Sequence, residues 1–119
     1  MGLYVFHPSS HRHDTGAHPE NAGRVAAVEK ALEDADWLGL ERLEAVATTR
    51  EQLERVHTPE HIDRIREICE AGGGMLDMDT VTSAESYEAA LHAAGGAADA
   101  ALRLLAGEAK FAFCGMRPP

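Results

Sequence analysis

Two short apolar runs, Leu3-Tyr4-Val5-Phe6 near the start of the chain and Lys110-Phe111-Ala112-Phe113-Cys114 near its end, constrain the fold more than any other feature. Both have strand length and β-favouring composition, the pattern of strands covered on both faces rather than half in water. Strands of that kind pair in parallel, and parallel neighbours need long crossovers. The residues between the runs supply helices for the purpose. Val25, Val28, Leu32 and Ala35 form one stripe, with Glu29, Lys30, Glu33 and Asp34 opposite it. Pro19 and Glu20 are expected to open this helix, since proline lacks the N–H that would be unpaired in a first turn and a carboxylate suits the positive end of the helix dipole.

Trp37 to Leu40 close that helix, and Leu43 to Val46 predict a second strand. Thr49 with Gln52 forms a capping-box pattern ahead of Leu53 and Val56. Thr58 and Pro59 open a further helix, with Ile62, Ile65, Ile68 and Cys69 inward and Gly72-Gly73-Gly74 as its stop. Met75 to Ser83 reads as a polar loop. From Ser86 a long alanine-rich helix follows, its stripe running Tyr87, Leu91, Ala94, Ala98, Ala101 and Leu105. Gly95 and Gly96 would each cost about 1 kcal/mol in an exposed helix, so close packing is the expected reason for them. Alternating strands and helices argue for a three-layer α/β domain with a parallel sheet over residues 1–119. The strands in hand are too few to close such a sheet, so the chain is expected to be the N-terminal portion of a larger domain.

Composition narrows the partners. Lys and Arg total 11 against 20 Asp and Glu, for a net charge of −9, which opposes binding to nucleic acid or an anionic membrane. Cys69 and Cys114 form no CxxC and suggest neither a disulfide framework nor a cysteine zinc site. Without a leader-like or membrane-spanning run, a soluble, cytoplasmic protein is the expectation. The sequence does not set an oligomeric state.

His7, His11, His13 and His18, with Asp14, crowd the first loop and carry donor types that suit zinc or iron. They support one functional reading, a small non-enzymatic module that binds a metal or a partner; equally, loop histidines are commonly satisfied by backbone and water. Asp77 and Asp79, two residues apart, could face one cation or simply be solvated. The glycine triplet lacks a following Lys-Ser or Lys-Thr and reads as a helix stop, not a phosphate cradle.

A second reading rests on a series of motifs: His13-Asp14-Thr15-Gly16-x-His18-Pro19-Glu20-x-x-x-Arg24, Val56-His57-Thr58-Pro59-x-His61-Ile62, Asp79-Thr80, Ala89-Ala90-x-x-Ala93-Ala94-Gly95-Gly96, and Phe113 with Arg117-Pro118-Pro119. As a set, in this order and spacing, they resemble the histone deacetylase family, which includes histone deacetylase-like amidohydrolases, acetylpolyamine amidohydrolases and acetoin-utilisation proteins. The resemblance implies the arginase/deacetylase fold and zinc-dependent hydrolysis of an acetylated amine, a lysine side chain or a polyamine. In the family, Arg-Pro-Pro precedes a tandem histidine pair, and the zinc ligands and oxyanion tyrosine come later. The resemblance therefore implies no catalytic residue and no bound zinc within these 119 residues. It matches Arg24 to an arginine of the internal channel beneath the active site, where a structural tie between helix and sheet is the alternative role. It matches Asp79, with Asp77 as the alternative, to a rim carboxylate that accepts substrate backbone N–H groups. His18 and Glu20 would shape the pocket wall.

Overall fold

A computed structural model describes residues 1–119 throughout. Its main sheet has three parallel strands: β1 (Gly2–Phe6) in the middle, β2 (Glu41–Glu44) on one side and β5 (Phe111–Cys114) on the other. The register sets Tyr4 opposite Arg42 and Phe113. Leu3 and Val5 point to one face, where Ala45, Ala100 and Ala109 complete a small core flanked by Leu43, Leu104, Ala112 and Met116. Tyr4 points to the other face, where its ring packs on Phe113 and Trp37 at centroid distances of 5.7 and 5.4 Å. Alternation along β1 thus divides the two helical layers, the face of Leu3 and Val5 meeting α5 (Ser86–Leu105) and the face of Tyr4 meeting α2 (Ala22–Asp34).

The remaining elements are one-turn helix α1 (Ser9–Arg12), a 3₁₀ turn (Asp36–Gly39), α3 (Arg50–Glu54), α4 (Pro59–Glu70), and an antiparallel hairpin, β3 (Gly73–Asp77) with β4 (Thr80–Ser83), separate from the main sheet. Two helix starts form as their sequences predict. Thr49 and Gln52 make the reciprocal capping box, and Thr58 accepts the His61 N–H with Pro59 in the first turn. No helix is long and apolar enough to cross a membrane.

Several expectations are corrected. The helix placed at Pro19 begins at Ala22, because Asn21 caps it through Gly23 N–H while Glu20 is drawn away into the site described below. The strand placed at Leu43 to Val46 is Glu41–Glu44; of its residues only Leu43 packs against the core, which Ala45 joins just beyond the strand end. Met75 to Ser83, read as a loop, is most of a hairpin: the Thr82 hydroxyl bridges the N–H and C=O of Gly74, and Asp77 accepts the Asp79 N–H to form the turn. Gly72 does stop α4, at φ +109°, but Gly73 and Gly74 already belong to β3. The polar connection from His7 to His18 contains α1. Finally, Phe111 and Phe113 are 54% and 47% exposed, so β5 is not covered on both faces as its composition suggested.

Candidate functional site

The loop from His13 to Glu20 connects α1 to α2, beside the C-terminal ends of the parallel strands, where open α/β sheets gather their ligand-binding groups. What holds it is an arginine from the far end of the chain. Arg117 is 3% exposed and forms a fork with Glu20, Nε donating to Oε1 at 2.5 Å and Nη2 to Oε2 at 2.7 Å. Its Nη1 donates to the carbonyls of Ser10 (2.8 Å) and His13 (2.6 Å), and its backbone N–H donates to the Ser10 hydroxyl (3.0 Å). The guanidinium therefore ties the exit of β5 to both α1 and the loop.

His13 is buried against the same pair, Nε2 lying 4.0 Å from Glu20 Oε2, and its Nδ1 hydrogen-bonds the Ser86 hydroxyl at 2.6 Å at the start of α5. Burial and the neighbouring Arg117 charge hold the His13 pKa below its ordinary 6.5. The fork from Arg117 holds Glu20 below its ordinary 4.5. Both shifts have one sign: as pH falls, the unfolded chain takes up protons that the folded chain refuses. Stability is expected to decline below about pH 6.5 through His13, and again below about pH 4.5 through Glu20. Denaturant titrations at stepped pH check this, with Glu20→Gln expected to shrink the lower step, to which Asp77 and Asp63, also held low, contribute the remainder.

Arg24 and Glu20 share a 220 Å³ cavity with Tyr4, Val25, Val28 and Phe113, beneath the segment from Cys114 to Arg117. The Arg24 guanidinium makes no hydrogen bond or ion pair. The Tyr4 hydroxyl is buried there with no partner, and burial, then the charge of Glu29, push its pKa up to about 12, so it stays a neutral donor. His18 leaves this group and faces outward, Nε2 lying 2.9 Å from Asp79 Oδ1 at the hairpin tip. Asp77 is used within the turn, where the Asp79 N–H and Thr80 hold its pKa low. Both carboxylates weighed for the rim are exposed; they differ in that Asp77 accepts the Asp79 N–H within the turn, whereas Asp79 meets His18.

The histidines do not form a metal centre. His7 stacks on His92 at 3.5 Å, His11 pairs with Glu29, His13 with Ser86 and His18 with Asp79. No three His, Cys, Asp or Glu side chains lie where they could hold a metal ion, so these residues do not fit zinc. Neither Arg117 nor Tyr4 has a site role that the sequence alone announces. Arg117 carries a signal, a cation set between an apolar strand and a Pro-Pro pair; Tyr4 carries none, since it reads as one more strand residue.

Comparison with known proteins agrees with this geometry. Residues 18–119 match the family model of the histone deacetylase domain. A probable deacetylase of Archaeoglobus fulgidus is 35% identical over 97% of this chain and 33% of its own length. A histone deacetylase-like amidohydrolase of Pseudomonas aeruginosa is 35% identical over 100% of this chain and 30% of its own. The crystal structure of the HDA15 HD domain superposes with a TM-score of 0.91 at 28% identity, over 98% of this chain and 36% of that one. The chain thus spans about a third of the length of the curated relatives it matches.

Proposed function

Since the chain belongs to the histone deacetylase family, we propose that it forms the N-terminal third of a deacetylase domain whose full-length protein hydrolyses the amide bond of an acetylated amine, a lysine side chain or a polyamine. The observation that carries this reading is the cavity lined by Arg24 and Tyr4 beside Glu20, where the exposed Arg24 is the cation not engaged by a carboxylate. A guanidinium there suits a small carboxylate such as the acetate such a hydrolysis releases. Asp79, exposed at the hairpin tip, suits a group that accepts N–H bonds from a substrate lying over the rim. His18 and Glu20 serve as supports, one for Asp79 and one for the loop.

Family membership implies zinc, which in such enzymes polarises the amide carbonyl and activates water. The 119 residues supply no ligand set for it, and no step through the metal is assigned to them. The reading places the protein in the cytoplasm, where Cys69 and Cys114 would remain the free thiols they are here. The decisive experiment measures zinc content and release of acetate from an acetyl-lysine peptide and an acetylpolyamine by the full-length protein. Stoichiometric zinc and turnover of one of them are expected, with the 119-residue chain alone inactive and metal-free. Absence of turnover on both substrates by the zinc-loaded full-length protein would overturn the activity. Turnover by the 119 residues alone would overturn the division of labour.

A further inference from the structure

Building on Asp79 as the rim carboxylate, we propose that His18 is its positioning residue, a strut that holds the hairpin-tip carboxylate where a substrate N–H can reach it. Asp79 needs such a support. Its side chain is 93% exposed, and it sits at the tip of a two-stranded hairpin that has no partner strand in the main sheet. An isolated hairpin is marginal in water, and a carboxylate at its tip explores its rotamers freely unless something holds it.

His18 reaches that tip from the loop before α2. Its Nε2 lies 2.9 Å from Asp79 Oδ1 and 3.1 Å from the Asp79 backbone oxygen, so one ring nitrogen engages both the side chain and the main chain. The opposite nitrogen, Nδ1, accepts the Glu20 N–H at 2.9 Å. A ring nitrogen that accepts carries no hydrogen, so the neutral imidazole bears its hydrogen on Nε2 and donates it to Asp79. The strut has one correct orientation, fixed at its root.

That root is itself held. Asn21 donates to the His18 carbonyl at 2.9 Å, the Thr15 hydroxyl donates to the Glu20 carbonyl, and Arg117 grips the Glu20 carboxylate. No other carboxylate competes for the ring, because Asp77 is engaged by the Asp79 N–H and Glu20 points at Arg117. Oδ2 of Asp79 is left for an incoming donor.

Two amides separate this role from simple support of the loop. His18→Gln places an N–H donor near the position of Nε2 and gives up the acceptor at Nδ1. His18→Asn keeps an acceptor near Nδ1 and cannot reach Asp79. In the full-length enzyme with an acetyl-lysine peptide, His18→Asn is expected to raise KM about 3- to 5-fold, the scale of an exposed charged contact. The change should fall on KM rather than kcat, and His18→Gln should stay within about twofold of the unsubstituted enzyme. Loss of the ring is common to both variants, so a role confined to packing predicts equal effects, and that result would overturn the proposal. Asp79→Asn is measured alongside. If it raises KM while His18→Asn does not, the strut alone is wrong; if it leaves KM unchanged, the rim reading fails and the strut with it.

Discussion

Gly95→Ala is expected to destabilise the protein by about 2–3 kcal/mol, although alanine in a helix interior normally stabilises by about 1 kcal/mol relative to glycine. The reason is where α5 crosses the segment after β2. A Cβ on Gly95 would lie 2.0 Å from the Val46 carbonyl oxygen, 2.5 Å from Thr48 N and 2.7 Å from Ala47 C, all of them backbone atoms that no rotamer change can move. The crossing is also stitched by the Thr48 N–H, which donates to the Leu91 carbonyl at 2.9 Å, so separating the two segments would sacrifice that bond as well. Gly96 provides the internal comparison. A Cβ there meets Met116 Cε at 2.6 Å, which can turn aside, and one atom fixed to the backbone, Ala45 Cβ, at 2.8 Å, against three backbone atoms at 2.0 to 2.7 Å for Gly95. Gly96→Ala should therefore cost clearly less than Gly95→Ala in parallel denaturation curves; equal costs would mean that the tight crossing is not what selects glycine at position 95.

That pair of glycines marks how far the sequence could be read. Close packing was legible because two adjacent glycines weaken a helix locally and so need a neighbour that makes good the loss. The stripe from Tyr87 to Leu105 was not, since Ala94, Ala101 and Leu105 are exposed and the buried face is Ala89, Gly95, Gly96 and Ala100. Helix starts were legible where their chemistry is local, as at Thr49 with Gln52 and at Thr58 with Pro59. The same reasoning failed at Pro19 and Glu20, where the carboxylate is claimed by Arg117, 97 residues away, and the start passes to Asn21. The hairpin was missed because side-chain bonds from Thr82 and Asp77 build it, without an alternating apolar run. At the site, Arg24, Asp79, His18 and Glu20 came from motif resemblance. The structure gathers Arg24 and Glu20 around one cavity and pairs His18 with Asp79 at the hairpin tip. The role of Arg117 exists only in three dimensions, since nothing in Arg-Pro-Pro says which carboxylate it will meet.

Arg117→Met is expected to destabilise the protein by about 3–5 kcal/mol, the usual result of removing one member of a buried ion pair. The loss is not confined to Coulomb attraction. Without the guanidinium, Glu20 keeps its charge beside a buried imidazole, and the carbonyls of Ser10 and His13 lose donors at 2.8 and 2.6 Å. Two further variants separate these contributions. Arg117→Lys retains a cation but cannot make the two-point contact with Glu20 while also reaching both carbonyls, so it should recover only part of the loss. Glu20→Leu in the Arg117→Met background removes the orphaned charge and should restore part of the stability, making the two substitutions non-additive in denaturation experiments. Strict additivity would mean that the guanidinium acts through the carbonyls alone. A smaller loss for Arg117→Met than for Gly95→Ala would place the principal anchor of this region at the crossing of α5 rather than at the clasp between the two ends of the chain.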